Sequence, residues 1–147
     1  MTTAHDVAAY ILKQQGPMTA MKLQKLAYYC QAWHLVWEER PLFRERIEAW
    51  ANGPVVRDLY KHHRGRFSVD SWPLGDPAVP AENERSSIDA VLGFYGTKSA
   101  HELSELTHRE DPWRRARNGA AAGASSSNDI SDADMFEYYD SLTSTDA

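Results

Sequence analysis

The six histidines are the residues in this chain whose chemistry is most versatile. His62 and His63 are adjacent, so on a helix their side chains point about 100° apart and do not readily share a metal ion. His34 falls on an apolar helical stripe, where one hydrogen bond explains it, and His101 and His108 stand two helical turns apart. The sequence has no H-E-x-x-H motif, no cysteine pair and no phosphate-binding loop. We therefore expect no metal site, no cofactor and no catalytic residue.

A small hydrolase is one alternative. Glu48 and a histidine are able to form an acid–base pair in space, but no motif places them together. Cys30 lies between Tyr29 and Trp33 on an apolar helix, whereas a nucleophilic cysteine needs a partly exposed, electropositive site. The cysteine is therefore expected to be inert core.

A helix-turn-helix regulator that binds DNA is the second alternative, because a Gly-Pro turn separates the first two predicted helices. A recognition helix needs exposed polar side chains near its N-terminus, and only Lys22, Gln24 and Lys25 qualify. The net charge is −5, and residues 118–147 contain no lysine or arginine. Neutralising phosphates would depend on one basic patch within residues 57–66, so the sequence disfavours nucleic acid as the partner.

The spacing of apolar residues predicts a mainly α fold, a compact helical domain of five to six helices with at most a few short strands. The first helix is expected to run from Thr3, its cap, to Gln15, and Thr19 caps a second helix whose apolar stripe reaches Trp37. Because its other faces are also apolar, the second helix belongs in the middle of the domain. The later helices are predicted to start at Pro54, at Ser86 or Ser87, at the Ser99 capping box and at Ser131.

Composition divides the chain into three parts. Residues 1–117 form the helical domain, residues 118–128 are small and polar and form a flexible linker, and residues 129–147 form an acidic C-terminal segment with a short helix. The apolar core pattern is expected to be complete by Trp113. The chain shows no signal peptide and no stretch near the ~20 apolar residues of a membrane span, and one cysteine fits a reducing compartment. We expect a cytoplasmic protein that does not bind a membrane.

Two groups of residues stand at a characteristic spacing. One is the run Leu23-Gln24-Lys25-Leu26-Ala27-Tyr28-Tyr29 with Trp33 after it. The other comprises Pro41-Leu42-Phe43, Ile47-Glu48-Ala49-Trp50 and Gly53-Pro54-Val55-Val56. Together they resemble the Panacea-domain antitoxin family of the SocA type, and the resemblance covers residues 3–117. It implies a helical domain, encoded beside a toxin and in some cases in phage-related loci, that binds and neutralises that toxin. In the SocA type it also implies delivery of the toxin to a protease.

The motif residues are interpreted as structural: Leu23, Lys25, Leu26, Tyr28, Trp50, Gly53, Pro54 and Val55. The surface that binds the toxin must then lie on residues that the motif leaves free, and tryptophan and arginine are enriched at binding hot spots. The candidates are Arg57, Tyr60, Lys61, Trp113, Arg114, Phe136, Tyr138 and Tyr139. The last three belong to the acidic segment, which is expected either to pack on its own domain or to contact the toxin. The predicted function is protein binding rather than catalysis.

Overall fold

The computed structural model of the protein describes residues 1–121 and 123–143. This described part contains seven helices and four short strands, so the predicted mainly α class is confirmed. The helices are α1 Ala4–Gln15, α2 Ala20–Glu38, α3 Arg57–His63, α4 Glu82–Tyr95, α5 Ala100–His108, α6 Asp111–Ala116 and α7 Asp132–Thr143. The strands are β1 Met18–Thr19, β2 Ile47–Trp50, β3 Gly53–Val56 and β4 Ser68–Val69. No described helix is long and apolar enough to cross a membrane.

The domain is built around α2. Thr19 caps this helix as predicted, because its hydroxyl oxygen accepts the backbone N–H of Lys22 at 3.1 Å. Helices α1, α4, α5 and α7 and strand β3 all pack on α2. The prediction that this helix lies in the middle of the domain is confirmed, but its buried stripe ends earlier than predicted. Trp37, in the last turn, is 45% exposed.

The four strands form two antiparallel pairs, β1 with β4 and β2 with β3. In the second pair Ile47 stands opposite Val56 and Glu48 opposite Val55. The predicted helix start at Pro54 is therefore wrong, since residues 53–56 form a strand and α3 begins at Arg57. The sequence Gly-Pro-Val-Val is compatible with a helix start or with a strand. It forms a strand here because its β-branched valines pair with β2. The proline is tolerated because a two-stranded hairpin leaves one edge of β3 without a strand partner.

The predicted start of α4 at Ser86 or Ser87 is also wrong. The helix begins at Glu82, and the carboxylate of Glu84 accepts the backbone N–H of Ala81 at 2.8 Å. Ser87 lies inside the helix, where its hydroxyl contacts another helix instead of capping this one. The caps predicted at Thr3, Ser99 and Ser131 are confirmed.

The described part of the C-terminal segment, residues 129–143, packs on the rest of the domain. Residues 128–130 run beside β2, where the N–H of Ala49 donates to the carbonyl of Asn128 at 2.8 Å and the N–H of Ile130 to the carbonyl of Ile47 at 2.7 Å. Helix α7 then lies on α2, and the core includes Ile130, Met135 and Tyr139. The expectation that the core is complete by Trp113 is therefore wrong. The flexibility of residues 118–128 stays a prediction.

A buried network of polar groups joins α7 to the core. The carboxylate of Glu110 accepts the hydroxyls of Tyr29 and Tyr139, each at 2.7 Å. Burial raises the pKa of Glu110, and the two hydroxyl donors oppose that shift. The ring of Tyr95 stacks on Tyr29 with 4.0 Å between centroids. The carboxylate of Glu110, at the start of α6, thus links α2 with α7. The stacked rings of Tyr29 and Tyr95 connect α4 to the same network.

Candidate functional site

The β2–β3 hairpin is fixed to α2 by a buried glutamine. Gln24 accepts the N–H of Val56 on Oε1 at 2.7 Å and donates from Nε2 to the carbonyl of Val56 at 3.1 Å. Its Nε2 also lies 2.9 Å from Nε2 of His63, which is buried at the end of α3. The amide of Gln24 therefore satisfies the N–H and the carbonyl of Val56, which both point away from β2. The hairpin and α3 form a platform whose position is set by α2.

Lys25 is buried under the tip of the hairpin. In the described part of the chain its Nζ has no hydrogen-bond partner, and burial lowers its pKa to about 8. Gly53 passes directly over it with φ +125°, and a Cβ at this position would lie 2.7 Å from Cε of Lys25 and 3.3 Å from Oγ1 of Thr107. Glycine is needed both for its backbone conformation and for this close approach. The two motif residues Lys25 and Gly53 therefore depend on each other.

We expect Gly53→Ala to lower the free energy of unfolding by about 2–4 kcal/mol, because strain at positive φ adds to overpacking against Lys25. Gly65→Ala is the matched control, since Gly65 has φ +85° and a Cβ at this position would meet nothing within 4 Å. Strain alone should cost the control about 1–2 kcal/mol. Urea denaturation of both variants measures the difference. Equal losses would show that the contact with Lys25 does not restrict this position.

Lys25→Met should raise the free energy of unfolding near pH 7 by about 2–3 kcal/mol, because it removes a buried, unpaired ammonium group. The lysine pKa falls from 10.5 to about 8 on folding, so between these values the unfolded chain binds more protons. The free energy of unfolding of the wild type therefore rises with pH through this window, because the buried lysine loses its charge. The difference in free energy of unfolding between the methionine variant and the wild type should shrink over the same window. Urea midpoints of both proteins, measured across the window, test this, since other groups titrate alike in both. An advantage that is constant with pH would contradict it.

The outer side of the hairpin and α3 forms a surface that we call the hairpin–α3 face, made of Trp50, Arg57, Tyr60 and Lys61. The rings of Trp50 and Tyr60 meet edge to face with 4.8 Å between centroids. Glu48 Oε1 accepts the indole N–H of Trp50 at 2.7 Å and lies 3.5 Å from Nη1 of Arg57. The side chains of Arg57 and Lys61 are 55% and 70% exposed. The structure thus brings three predicted contact residues, Arg57, Tyr60 and Lys61, together with Trp50. Each of the two cations has a carboxylate neighbour, since Nζ of Lys61 lies 3.7 Å from Oδ1 of Asp58.

A groove of about 440 Å³ borders this face at Trp50. Its apolar lining comes from Met21, Ala51 and Val55, and its polar lining from Asn52 and the serines at 125–127. The groove therefore offers hydrogen-bonding groups next to an apolar floor. A side chain or short extended segment of a partner that covers the hairpin–α3 face would meet both.

The remaining predicted contact residues lie elsewhere. Trp113 is buried, its indole N–H donates to the carbonyl of Trp50 at 2.8 Å, and its ring stacks on His108 at 4.1 Å. Tyr139 is entirely buried on α7. We therefore assign Trp113 and Tyr139 to the core rather than to a contact surface. The other three lie on α6 and α7 and keep exposed or half-buried side chains: Arg114, Phe136 and Tyr138.

Three aromatic side chains are exposed or half-buried in a way that the sequence does not indicate. Trp37 and Trp50 follow apolar spacing, which predicts core positions, yet the first is 45% exposed and the second half-buried. Phe94 is 66% exposed on α4. Apolar spacing shows which face of a helix is apolar, but not where the element that covers this face ends.

The two alternative functions find little support in these positions. His34 Nδ1 lies 2.7 Å from Oγ of Ser87, but both residues are buried, and Glu48 is occupied by Trp50 and Arg57. For DNA binding, two of the three residues needed to read bases are not on the surface. Gln24 and Lys25 are fully buried, and Nζ of Lys22 donates to the carbonyl of Gly96 at 2.7 Å. The second helix is a core helix and cannot lie in a DNA groove in this fold.

The fold defines a small, mainly helical domain whose motif residues hold a hairpin on a central helix. The family model described as "Antitoxin SocA-like, Panacea domain" matches residues 23–114, and the chain belongs to this family. The matched region includes most of α2, the hairpin, α3, α4, α5 and most of α6. Comparisons with curated proteins and with solved structures gave no match. Membership of the family supports an antitoxin role in general terms.

Proposed function

We propose that this protein is an antitoxin that binds a cognate protein toxin directly through the hairpin–α3 face. The observation that supports it most is the placement of Trp50, Arg57, Tyr60 and Lys61 on one surface, held by motif residues of an antitoxin family. Aromatic and arginine side chains supply most of the binding energy at protein interfaces. Arg57 and Lys61 each have a carboxylate neighbour in this chain, Glu48 at 3.5 Å and Asp58 at 3.7 Å. Both side chains stay more than half exposed, so the proposed toxin surface offers acidic groups that can pair with them.

The rigidity of the platform favours tight binding. Gln24 fixes Val56 in the strand directly before α3, and Trp113 fixes the backbone at Trp50. A surface that is already ordered loses little conformational entropy when a partner binds. The exposed charges of Arg57 and Lys61 then add attraction at long range, which increases the association rate more than the affinity.

Delivery of the toxin to a protease is the second step that we propose, and it rests on the family's SocA type alone. Neutralisation by occlusion and neutralisation by degradation differ in the amount of toxin that remains. Occlusion leaves the toxin abundant in a complex, whereas delivery shortens its half-life.

Co-expression tests both steps. The product of the reading frame adjacent to this gene is expressed alone and together with the protein, while growth and the half-life of the toxin are followed. We expect the protein to restore growth and, if it delivers the toxin, to shorten the half-life. Growth that is unaffected by the adjacent product, or arrested equally with and without the protein, would contradict the antitoxin role. Restored growth with an unchanged half-life would contradict delivery and leave occlusion.

A further inference from the structure

A second exposed aromatic surface lies between α2 and α4, and it shares no residue with the hairpin–α3 face. This α2–α4 groove has a volume of about 330 Å³ and is lined by Trp33, Trp37, Ala90, Val91, Phe94 and Tyr95. Trp37 and Phe94 are 45% and 66% exposed. Two large aromatic side chains exposed on one groove are a recognised mark of a protein interaction site.

The rings of the groove hold one another in place. Trp33 stacks on Trp37 with 5.4 Å between centroids, and its indole N–H donates to the hydroxyl of Tyr95 at 2.9 Å. Phe94 meets the ring of Tyr95 edge to face at 4.7 Å. The exposed rings are therefore ordered before any partner arrives, which lowers the entropic cost of binding.

The two ends of the groove carry opposite charges. The helices are antiparallel, since His34 contacts Ser87 and, one turn later on α2, Glu38 accepts the side-chain amide of Asn83 at 3.0 Å. Glu38 and Glu39 are exposed at this end, where the carbonyl end of α2 adds negative potential. At the other end, Nζ of Lys98 lies 5.8 Å from the ring centroid of Phe94.

The negative end extends toward α7. Asp132, the first residue of α7, lines a neighbouring recess together with Glu39 and Phe136. Glu38, Glu39 and Asp132 therefore outnumber Arg40, the exposed cation that follows them at the end of α2. A cation on a partner would be attracted to this end, while an apolar group beside it lies in the groove.

We propose that the α2–α4 groove binds an amphipathic helix of a partner protein. Apolar side chains of that helix lie between Trp37 and Phe94, and its basic end lies against Glu38 and Glu39. A helix fits because two antiparallel helices form the walls, and helices commonly bind in such grooves through apolar residues three and four positions apart. This surface is separate from the one proposed to bind the toxin, so the protein has room for two partners.

A titration of the full-length protein with synthetic peptides tests this, with amide NMR shifts as the readout. The probe is an amphipathic peptide of about 16 residues with a leucine face and lysines in one terminal turn. The first control has glutamates in place of the lysines, and the second has the same composition in scrambled order. We expect the lysine peptide to shift the amides of Trp37, Ala90 and Phe94, and the glutamate peptide to bind at least about tenfold more weakly.

Variants of the protein then locate the site. Trp37→Ala combined with Phe94→Ala should weaken binding at least about tenfold, whereas Phe67→Ala should leave it unchanged. Phe67 is the matched control because it is an aromatic residue 84% exposed and is not part of the groove. Glu38→Lys combined with Glu39→Lys should reverse the preference, so that the glutamate peptide binds better.

Four results would overturn the proposal. They are no binding by the lysine peptide, equal binding by the scrambled peptide, and unchanged affinity of the Trp37→Ala/Phe94→Ala variant. The fourth is a dimer in sedimentation that Phe94→Ala dissociates, since the groove would then belong to a second copy of the chain. None of these results depends on the toxin, so they do not bear on the proposed antitoxin function.

Discussion

A chain truncated after Asn128 is expected to lose its cooperative unfolding transition. The truncation removes Ile130, Met135 and Tyr139 from the core and uncovers α2 along the side where α7 packs. Loss of one large buried aromatic side chain costs about 3–5 kcal/mol, and small domains are stable by only about 5–15 kcal/mol. Glu110 would also lose one of its two tyrosine donors. Near-ultraviolet circular dichroism and a thermal melt of the truncated chain measure the effect.

Two point variants control for this truncation. Tyr139→Ala removes the buried ring and should cost about 3–5 kcal/mol, whereas Phe136→Ala, on the same helix but 36% exposed, should cost less than about 1 kcal/mol. A truncated chain that melts like the full-length protein would show that α7 is not part of the folding unit. Equal effects of the two point variants would contradict the burial of Tyr139.

Gln24→Met is expected to lower the free energy of unfolding by about 3–5 kcal/mol. The variant keeps the length of the side chain but leaves the N–H and the carbonyl of Val56 without their partner, and His63 loses its contact. Each buried polar group left unpaired costs about 1–3 kcal/mol. Urea denaturation measures the loss, and hydrogen exchange at the amide of Val56 shows whether the hairpin has separated from α2.

Gln14→Met is the matched control, because Gln14 is exposed on α1. Its free energy of unfolding should stay within about 0.5 kcal/mol of the wild type. If Gln24→Met kept both wild-type stability and slow exchange at Val56, contacts other than those of Gln24 would hold the hairpin on α2.

The sequence predicts the elements that local signals determine. Caps at Thr3, Thr19 and Ser99 begin helices where hydroxyl side chains satisfy free backbone N–H groups. The apolar residues on every face of α2 identify it as the central helix. These signals depend on residues within a few positions of each other, so the sequence contains them in full.

The sequence does not predict the elements that depend on distant partners. Val55 and Val56 form a strand because Glu48 and Ile47 lie opposite, and nothing in Gly-Pro-Val-Val distinguishes this outcome from a helix start. The short acidic segment of α7 joins the core because Tyr139 reaches a carboxylate 29 positions earlier in the chain. Tertiary contacts of this kind override local preference.

The candidate site could be predicted from the sequence only in part. Arg57, Tyr60 and Lys61 are polar or amphipathic residues beside the motif, and they do lie together with Trp50. Burial of Trp113 follows from its hydrogen bond to the hairpin backbone, which no local pattern indicates. The motif also marked Lys25 and Gly53 as structural, but only the fold shows that they pack against each other.

Calorimetric titration of the protein with the product of the adjacent reading frame shows whether the hairpin–α3 face binds the toxin. Arg57→Gln combined with Lys61→Gln changes the hairpin–α3 face, and Lys13→Gln combined with Arg44→Gln makes the same change in net charge at exposed positions outside it. We predict that the first pair weakens binding at least about tenfold and that the second pair leaves it unchanged. Equal affinities of the wild type and of both double variants would contradict the assignment of the toxin-binding surface to this face.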